Sequence, residues 1–133
     1  MSGEKNNCAF CNNDDKKLIE TKNAFVISDK YPVTQSHSLI IPKRHVESFF
    51  ELTPEEYADC MILIKTIRKI LCKQDVTITG FNIGVNDGID AGQTITHCHV
   101  HLIPRRKGDV ENPFGGIRHV IPQKGFYEEK SSC

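Results

Sequence analysis

The run His97-Cys98-His99-Val100-His101-Leu102 alternates imidazoles with apolar side chains and closes on Ile103-Pro104. Residues two apart in an extended chain share a face, so this run predicts a strand. His97, His99 and His101 stand in a row ~6.5–7 Å apart, and Cys98, Val100 and Leu102 lie on the other side. A slip of one residue would exchange the two faces, so the apolar side must be buried and pin the register. On residues alone the row reads either as a structural metal strand or exposed face, or as a reactive site. Three histidines in alternation behind a glycine-rich polar loop favour the reactive site.

At 133 residues, 38% hydrophobic and 26% charged, the chain has an ordinary globular balance and fits one domain over residues 1–133. Phe25-Val26-Ile27 and Leu39-Ile40-Ile41 read as paired strands separated by the polar segment Asp29 to His37. Pro42 ends the second, having no N–H for a ladder. Arg44 to Phe50 is expected as a short helix. A long helix starts at Thr53-Pro54-Glu55-Glu56, where Thr53 caps, Pro54 suits the first turn and Glu56 completes a capping box. Its apolar stripe runs through Tyr57, Met61, Ile64, Ile67 and Leu71, widened by Ile62, Leu63 and Ile70. Thr77 to Gly84 and Thr96 to Ile103 are further strands. Together these elements predict an α+β domain with helices on one face of an antiparallel sheet.

Seventeen basic and seventeen acidic residues cancel, which excludes a broad positive field for nucleic acid and leaves specificity to a local site. Apolar runs such as Met61-Ile62-Leu63-Ile64 fall far short of the ~20 residues of a membrane span. The opening Met1 to Asn7 carries no apolar signal region, so a cytoplasmic location is expected. Of six cysteines only Cys8 and Cys11 are closely spaced, while Cys60, Cys72, Cys98 and Cys133 stand apart. Reduced thiols are expected, with Cys8 and Cys11 a metal-binding pair.

A neutral imidazole is a competent nucleophile near pH 7, where its pKa of ~6.5 also makes it a good leaving group. Phosphorus is a fitting target, because the loop Asn86 to Thr94 offers an amide, a hydroxyl and glycines that let backbone N–H groups approach a phosphate.

Gly92-Gln93-Thr94 followed by His97-x-His99-x-His101-Leu102-Ile103 resembles the histidine triad (HIT) superfamily. The resemblance continues through Pro32-Val33, His37 to His45 and the Thr53-capped helix, and so covers nearly the whole chain. It implies a five-stranded antiparallel sheet with two helices, paired as a homodimer. It also implies a hydrolase or transferase whose middle histidine, His99, attacks the α-phosphorus of a nucleoside phosphate derivative and forms a nucleotidyl-histidine. His97 would orient that ring through its backbone carbonyl, and His101 would bind phosphate or assist the leaving group. Asn86, Gln93 and Thr94 would line the phosphate, and Asp29 would hold the ribose hydroxyls. Asp29 reads equally well as a turn former before Lys30-Tyr31-Pro32. Phe10, Phe25 and Ile27 read as base-sandwiching residues or as core.

Some branches of the superfamily carry a structural zinc, and Cys8, Cys11, His45 and His97 would supply its two thiolates and two imidazoles. The stretch from Arg105 to Arg118 resembles bacterial-type members that hydrolyse dinucleoside polyphosphates, and its basic residues would meet a polyphosphate or lie solvated. Ser36 departs from the pattern, since many relatives have glycine there. Dinucleoside polyphosphates are the expected substrates. Nucleoside phosphoramidates, a nucleotide-binding regulatory module and a small zinc-binding interaction protein are the alternatives. Apolar residues around the long helix, Ile62 among them, exceed what one sheet would cover, which points to that helix as the dimer contact.

Overall fold

The computed structural model describes residues 7–12 and 16–127, so the polar N-terminal stretch 1–6 and Cys133 lie outside the described residues. Strands β1 (Ile19–Glu20), β2 (Ala24–Ser28) and β3 (Ser38–Pro42) precede helix α1 (Pro54–Gln74), and β4 (Ile78–Val85) and β5 (Val100–Arg106) follow it. They form one antiparallel sheet in the order β1-β2-β3-β5-β4. The β2–β3 pair is the expected hairpin, in the register Val26 to Ile40.

Alternation divides the sheet into two faces. Ala24, Val26, Ile40, Val100 and Leu102 pack against Cys60, Leu63, Ile67 and Leu71 of α1. The opposite face carries Phe25, Ile27, Leu39 and Ile41 under Cys8 and Phe10 of the N-terminal segment. Because Leu39 pairs with His101 and Ile40 with Val100, the histidine row lies on the face away from the helix. The buried stripe of α1 runs through Cys60, whereas Met61 and Ile62 are 57% and 53% exposed on its outer side. Both halves of the capping box form: Thr53 Oγ1 accepts from Glu56 N at 3.1 Å, and Glu56 Oε1 accepts from Thr53 N at 2.8 Å.

The two-helix expectation is overturned: the described residues contain one α-helix, α1, with short 3-10 turns at Phe49–Glu51, Ile89–Ala91 and Gly116–Val120. The Arg44 to Phe50 segment cannot close a helical ladder because its carbonyls and termini are bound elsewhere. Val46 O accepts from Cys98 N at 2.7 Å, Glu47 O accepts from Gln93 Nε2 at 3.0 Å, and Asp87 holds the Ser48 hydroxyl and Phe49 N. Only a single turn capped by Ser48 remains.

The regular ladder of β5 begins at Val100 and runs through Pro104 to Arg106, later than the sequence pattern suggests. Pairing with β3 stops at Leu102, so Pro104 has a ladder neighbour on the β4 side alone; its missing N–H is tolerated on the other side, where its carbonyl accepts from Thr34 Oγ1 at 2.8 Å. No helix among the described residues is long and apolar enough to cross a membrane.

Candidate active site

His99 and His101 line a cleft of about 440 Å³ together with Phe10, Ile27, Asp29, His37, Leu39, Asn86 and Thr94. The cleft lies over the helix-free face, between the β2–β3 connection and the loop 86–94. That loop depends on Gly88 and Gly92, at φ 93° and 92°, a region that L side chains rarely enter.

Three backbone or side-chain partners fix the histidines. His97 Nε2 donates to Pro42 O at 2.8 Å, and His99 Nδ1 donates to His97 O at 2.8 Å. His99 therefore carries its proton on Nδ1 and its lone pair on Nε2. His101 Nδ1 lies 2.9 Å from His37 Nε2, while its Nε2 is the one buried side-chain nitrogen or oxygen without a hydrogen-bond partner among the described residues. Leaving such a group unpaired costs about 1–3 kcal/mol, so it marks a place where a ligand can repay the loss. Burial pushes His37, His97 and His99 below the ordinary imidazole range. Burial, reinforced by neighbouring His99 and His37, takes His101 down to about 4. At neutral pH all four rings are uncharged, the state a nucleophile requires.

His97 Nδ1 faces a second cluster. It lies 3.4 Å from Cys8 Sγ and 3.6 Å from Cys11 Sγ, and Cys11 Sγ lies 3.3 Å from His45 Nδ1. The ligand atoms of Cys8, Cys11, His45 and His97 all fall within 4.8 Å of one another. Metal bonds of ~2.3 Å to sulfur and ~2.0 Å to nitrogen at tetrahedral angles place S and N about 3.5 Å apart, which these separations match. The Pro42 contact supplies the outer hydrogen bond that turns the Nδ1 lone pair of His97 toward the thiols. No disulfide joins the described cysteines. The four residues are thus compatible with a metal centre.

Of the other sequence candidates, Asp29 borders the cleft and also forms its turn: Oδ1 accepts from Tyr31 N at 2.8 Å, while Oδ2 stands 3.3 Å from His37 Nε2. Asn86 and Thr94 line the cleft. The Gln93 amide is committed to the loop, accepting from Gly88 N and donating to the carbonyls of Glu47 and Ile95. Phe10 and Ile27 form cleft wall, whereas Phe25 is buried core with Lys17 Nζ 4.9 Å from its ring centroid. Arg105 binds Asp109 and Asn82, and Arg106 binds Asp75, bordering a separate groove beside β4. His37 and Lys16 are cleft residues to which the sequence pattern assigned no role. The signal for His37 was the β3–β5 register, visible only once Leu39 is known to pair with His101.

The family described as HIT domain matches residues 11–108. The nitrilase and fragile histidine triad fusion protein NitFhit of Caenorhabditis elegans is 42% identical over 95 residues, covering 71% of this chain and 21% of that protein. The asymmetrical bis(5'-nucleosyl)-tetraphosphatase of Schizosaccharomyces pombe is 38% identical over 92 residues, covering 69% of this chain and 50% of that protein. This chain therefore spans about a fifth and a half of those two relatives. The crystal structure of a Zn-bound histidine triad family protein from Mycobacterium smegmatis is similar, with a TM-score of 0.70, 33% identity and 80% coverage of each chain.

Proposed function

The chain belongs to the HIT family, and we propose that it is a nucleotide hydrolase or transferase whose nucleophile is His99. The observation that carries this reading is the 2.8 Å hydrogen bond from His99 Nδ1 to His97 O, which leaves the Nε2 lone pair of a neutral ring available in the cleft. In the first step a bond forms between Nε2 and the α-phosphorus, and the rest of the substrate departs with the P–O electron pair. The ring becomes cationic with its Nδ1–H still directed at the His97 carbonyl, whose dipole stabilises it. Water then breaks the P–N bond, releases the nucleoside monophosphate and restores His99. His101, Asn86 and Thr94 hold the phosphate, Asp29 the ribose, and Phe10, Ile27 and Leu39 the base.

Dinucleoside polyphosphates are the substrate class, supported by the name of the Schizosaccharomyces pombe relative and by Lys16 and Lys30 bordering the cleft, where they meet the remaining phosphates. The test is a comparison of kcat/KM on diadenosine tetraphosphate and adenosine phosphoramidate. Preference for the first supports the assignment, and preference for the second moves the substrate class. Binding of AMP without turnover of either would replace the enzyme by a regulatory module.

Zinc is the metal proposed for Cys8, Cys11, His45 and His97, since two thiolates and two imidazoles are its usual tetrahedral set and leave no open position for catalysis. Bound there, zinc would brace the segment that orients His99. The thiolate pair fits a reducing, cytoplasmic compartment. The assembly proposed is a homodimer. The outer edge of β4 pairs with no further strand among the described residues, and Met61 and Ile62 on α1 and Phe114 and Val120 after β5 expose apolar surface.

A further inference from the structure

His37 is 3% exposed and belongs to neither the triad nor the metal cluster, yet both of its ring nitrogens are engaged. Its Nδ1 accepts from Val33 N at 3.1 Å. A nitrogen that accepts a backbone N–H carries no proton of its own, so neutral His37 bears its proton on Nε2. That Nε2–H has His101 Nδ1 at 2.9 Å, and hence His101 is the acceptor in the pair. One conclusion follows for His101: with Nδ1 accepting, its single proton sits on Nε2, the buried atom that has no partner among the described residues. Asp29 Oδ2, 3.3 Å from His37 Nε2 and 3.9 Å from His101 Nδ1, lies alongside the pair and reinforces a donor on His37.

We propose that His37 is a positioning residue. The chain from the Val33 amide through His37 locks His101 into the tautomer that presents Nε2–H as a fixed hydrogen-bond donor to an oxygen of the reacting phosphate. The inference rests on the nucleotidyl-transfer reading above. It deepens that reading by specifying what His101 does. The chain ends on a backbone amide, which neither gives up nor takes a proton near pH 7. No proton can therefore be relayed to His101 from the Val33 end of the chain, and the role assigned to its Nε2–H is that of an electrostatic donor. During attack the P–N bond to His99 forms, the P–O bond breaks with its electron pair on the leaving group, and no proton crosses the His37–His101 pair. A donor preoriented in this way needs no rearrangement as charge develops on the phosphate oxygens.

Two variants and one spectrum test this. Long-range proton–nitrogen correlation spectra of the 15N-labelled resting protein report which ring nitrogen of His101 is protonated, without substrate. The expected result is Nε2 protonated and Nδ1 bare. A His101 protonated at Nδ1 alone overturns the proposal, whatever the enzyme's activity. His37→Leu removes the donor and is expected to give a tautomer mixture at His101 and a fall in kcat on the order of tenfold to a hundredfold at little-changed KM. His37→Gln keeps an N–H at the position of Nε2 and an oxygen facing Val33 N, and is expected to restore both the Nε2–H signature and much of the rate. Loss of rate in His37→Leu with the His101 signature unchanged would reduce His37 to a packing role and overturn the proposal. If the leucine variant does not fold, the wild-type and glutamine spectra still decide. Failure of the His99 reading would appear separately, as no covalent adduct in a protein whose His101 tautomer is as expected.

Discussion

The carbonyl oxygen of His97 and the Nδ1 of His99 lie 2.8 Å apart, while the ring of the same His97 reaches the thiols of Cys8 and Cys11. The nucleophile is thus held by the backbone of a residue whose side chain belongs to the metal cluster. His99→Ala should keep the fold and AMP binding, because neither needs the ring, and should lower turnover roughly 10⁴–10⁶-fold. Single-turnover kinetics with acid quench and mass analysis of the wild type should yield a nucleotide adduct on the peptide containing His99. Near-normal turnover in the alanine variant would sink the mechanism.

Metal removal should act first on stability. Protein purified without chelator is expected to hold about one zinc per chain by elemental analysis, and Cys8→Ser should lower both zinc content and Tm. Since His97 also orients His99, stripping the metal should slow turnover as well. A wild-type protein free of zinc, or a Cys8→Ser, Cys11→Ser double variant that retains it, would contradict the assignment.

Acid should destabilise the protein in a definite window. The imidazoles of His37, His99 and His101 titrate below their ordinary value of 6.5 in the folded chain, burial being the first cause for each, and His101 does so at about 4. The unfolded chain takes up these protons first, so the stability is fully present above pH 6.5 and is lost as the pH falls toward 4. The Asp75 carboxyl, lowered to about 2 by its hydrogen bonds to Thr77 and Arg106, contributes its full stability throughout this window and loses it only as the pH falls from 3.8 toward 2. Urea midpoints measured from pH 7.5 to 4.5 should fall steadily, and His101→Asn should flatten the slope. A midpoint independent of pH would show that the rings charge without penalty.

Ser36 sits at φ 74°, the left-handed region, with its carbonyl accepting from the Ser38 hydroxyl at 2.9 Å. A side chain in that conformation costs roughly 1–2 kcal/mol, partly offset by the extra unfolded-state freedom of glycine. Ser36→Gly should therefore raise stability by up to about 1 kcal/mol, read from the urea midpoint, without altering KM. A destabilised variant would mean that the serine contributes a contact of its own.

Ile62 on the outer side of α1 borders a shallow groove with Lys65, Thr66 and Lys69. If a second copy covers this surface, Ile62→Glu should move the protein toward monomer in light scattering and lower Tm. A wild-type chain that is monomeric at micromolar concentration would remove the dimer proposal.

Much of this arrangement was legible from local chemistry. The Thr53–Glu56 capping box and the β2–β3 hairpin are decided by neighbours a few residues apart and form as expected, whereas the regular strand expected from Thr96 begins only at Val100, with His97 to His99 buried ahead of it. The positions that resisted prediction depend on distant partners. The second helix was lost because Cys98, Gln93 and Asp87 occupy the backbone of the 46–49 segment from across the fold. The apolar spacing puts Met61 on the stripe of α1, but the sheet meets the helix along Cys60, a residue whose small side chain carries little weight in an apolar pattern. His37 acquired no role because its partner lies 64 positions away.

The sheet is a partition. On one side α1 packs its apolar stripe on the sheet; on the other stand the cleft, the triad histidines, Cys8 and Cys11. Few side chains serve both sides, so substitutions that repack Leu63, Ile67 or Leu71 can drift without disturbing the chemistry. Changes around the cleft can likewise alter which leaving group is accepted without loosening the helix. Such separation makes the scaffold tolerant of specialisation, since a new substrate preference need not be acquired at the expense of the fold that carries it.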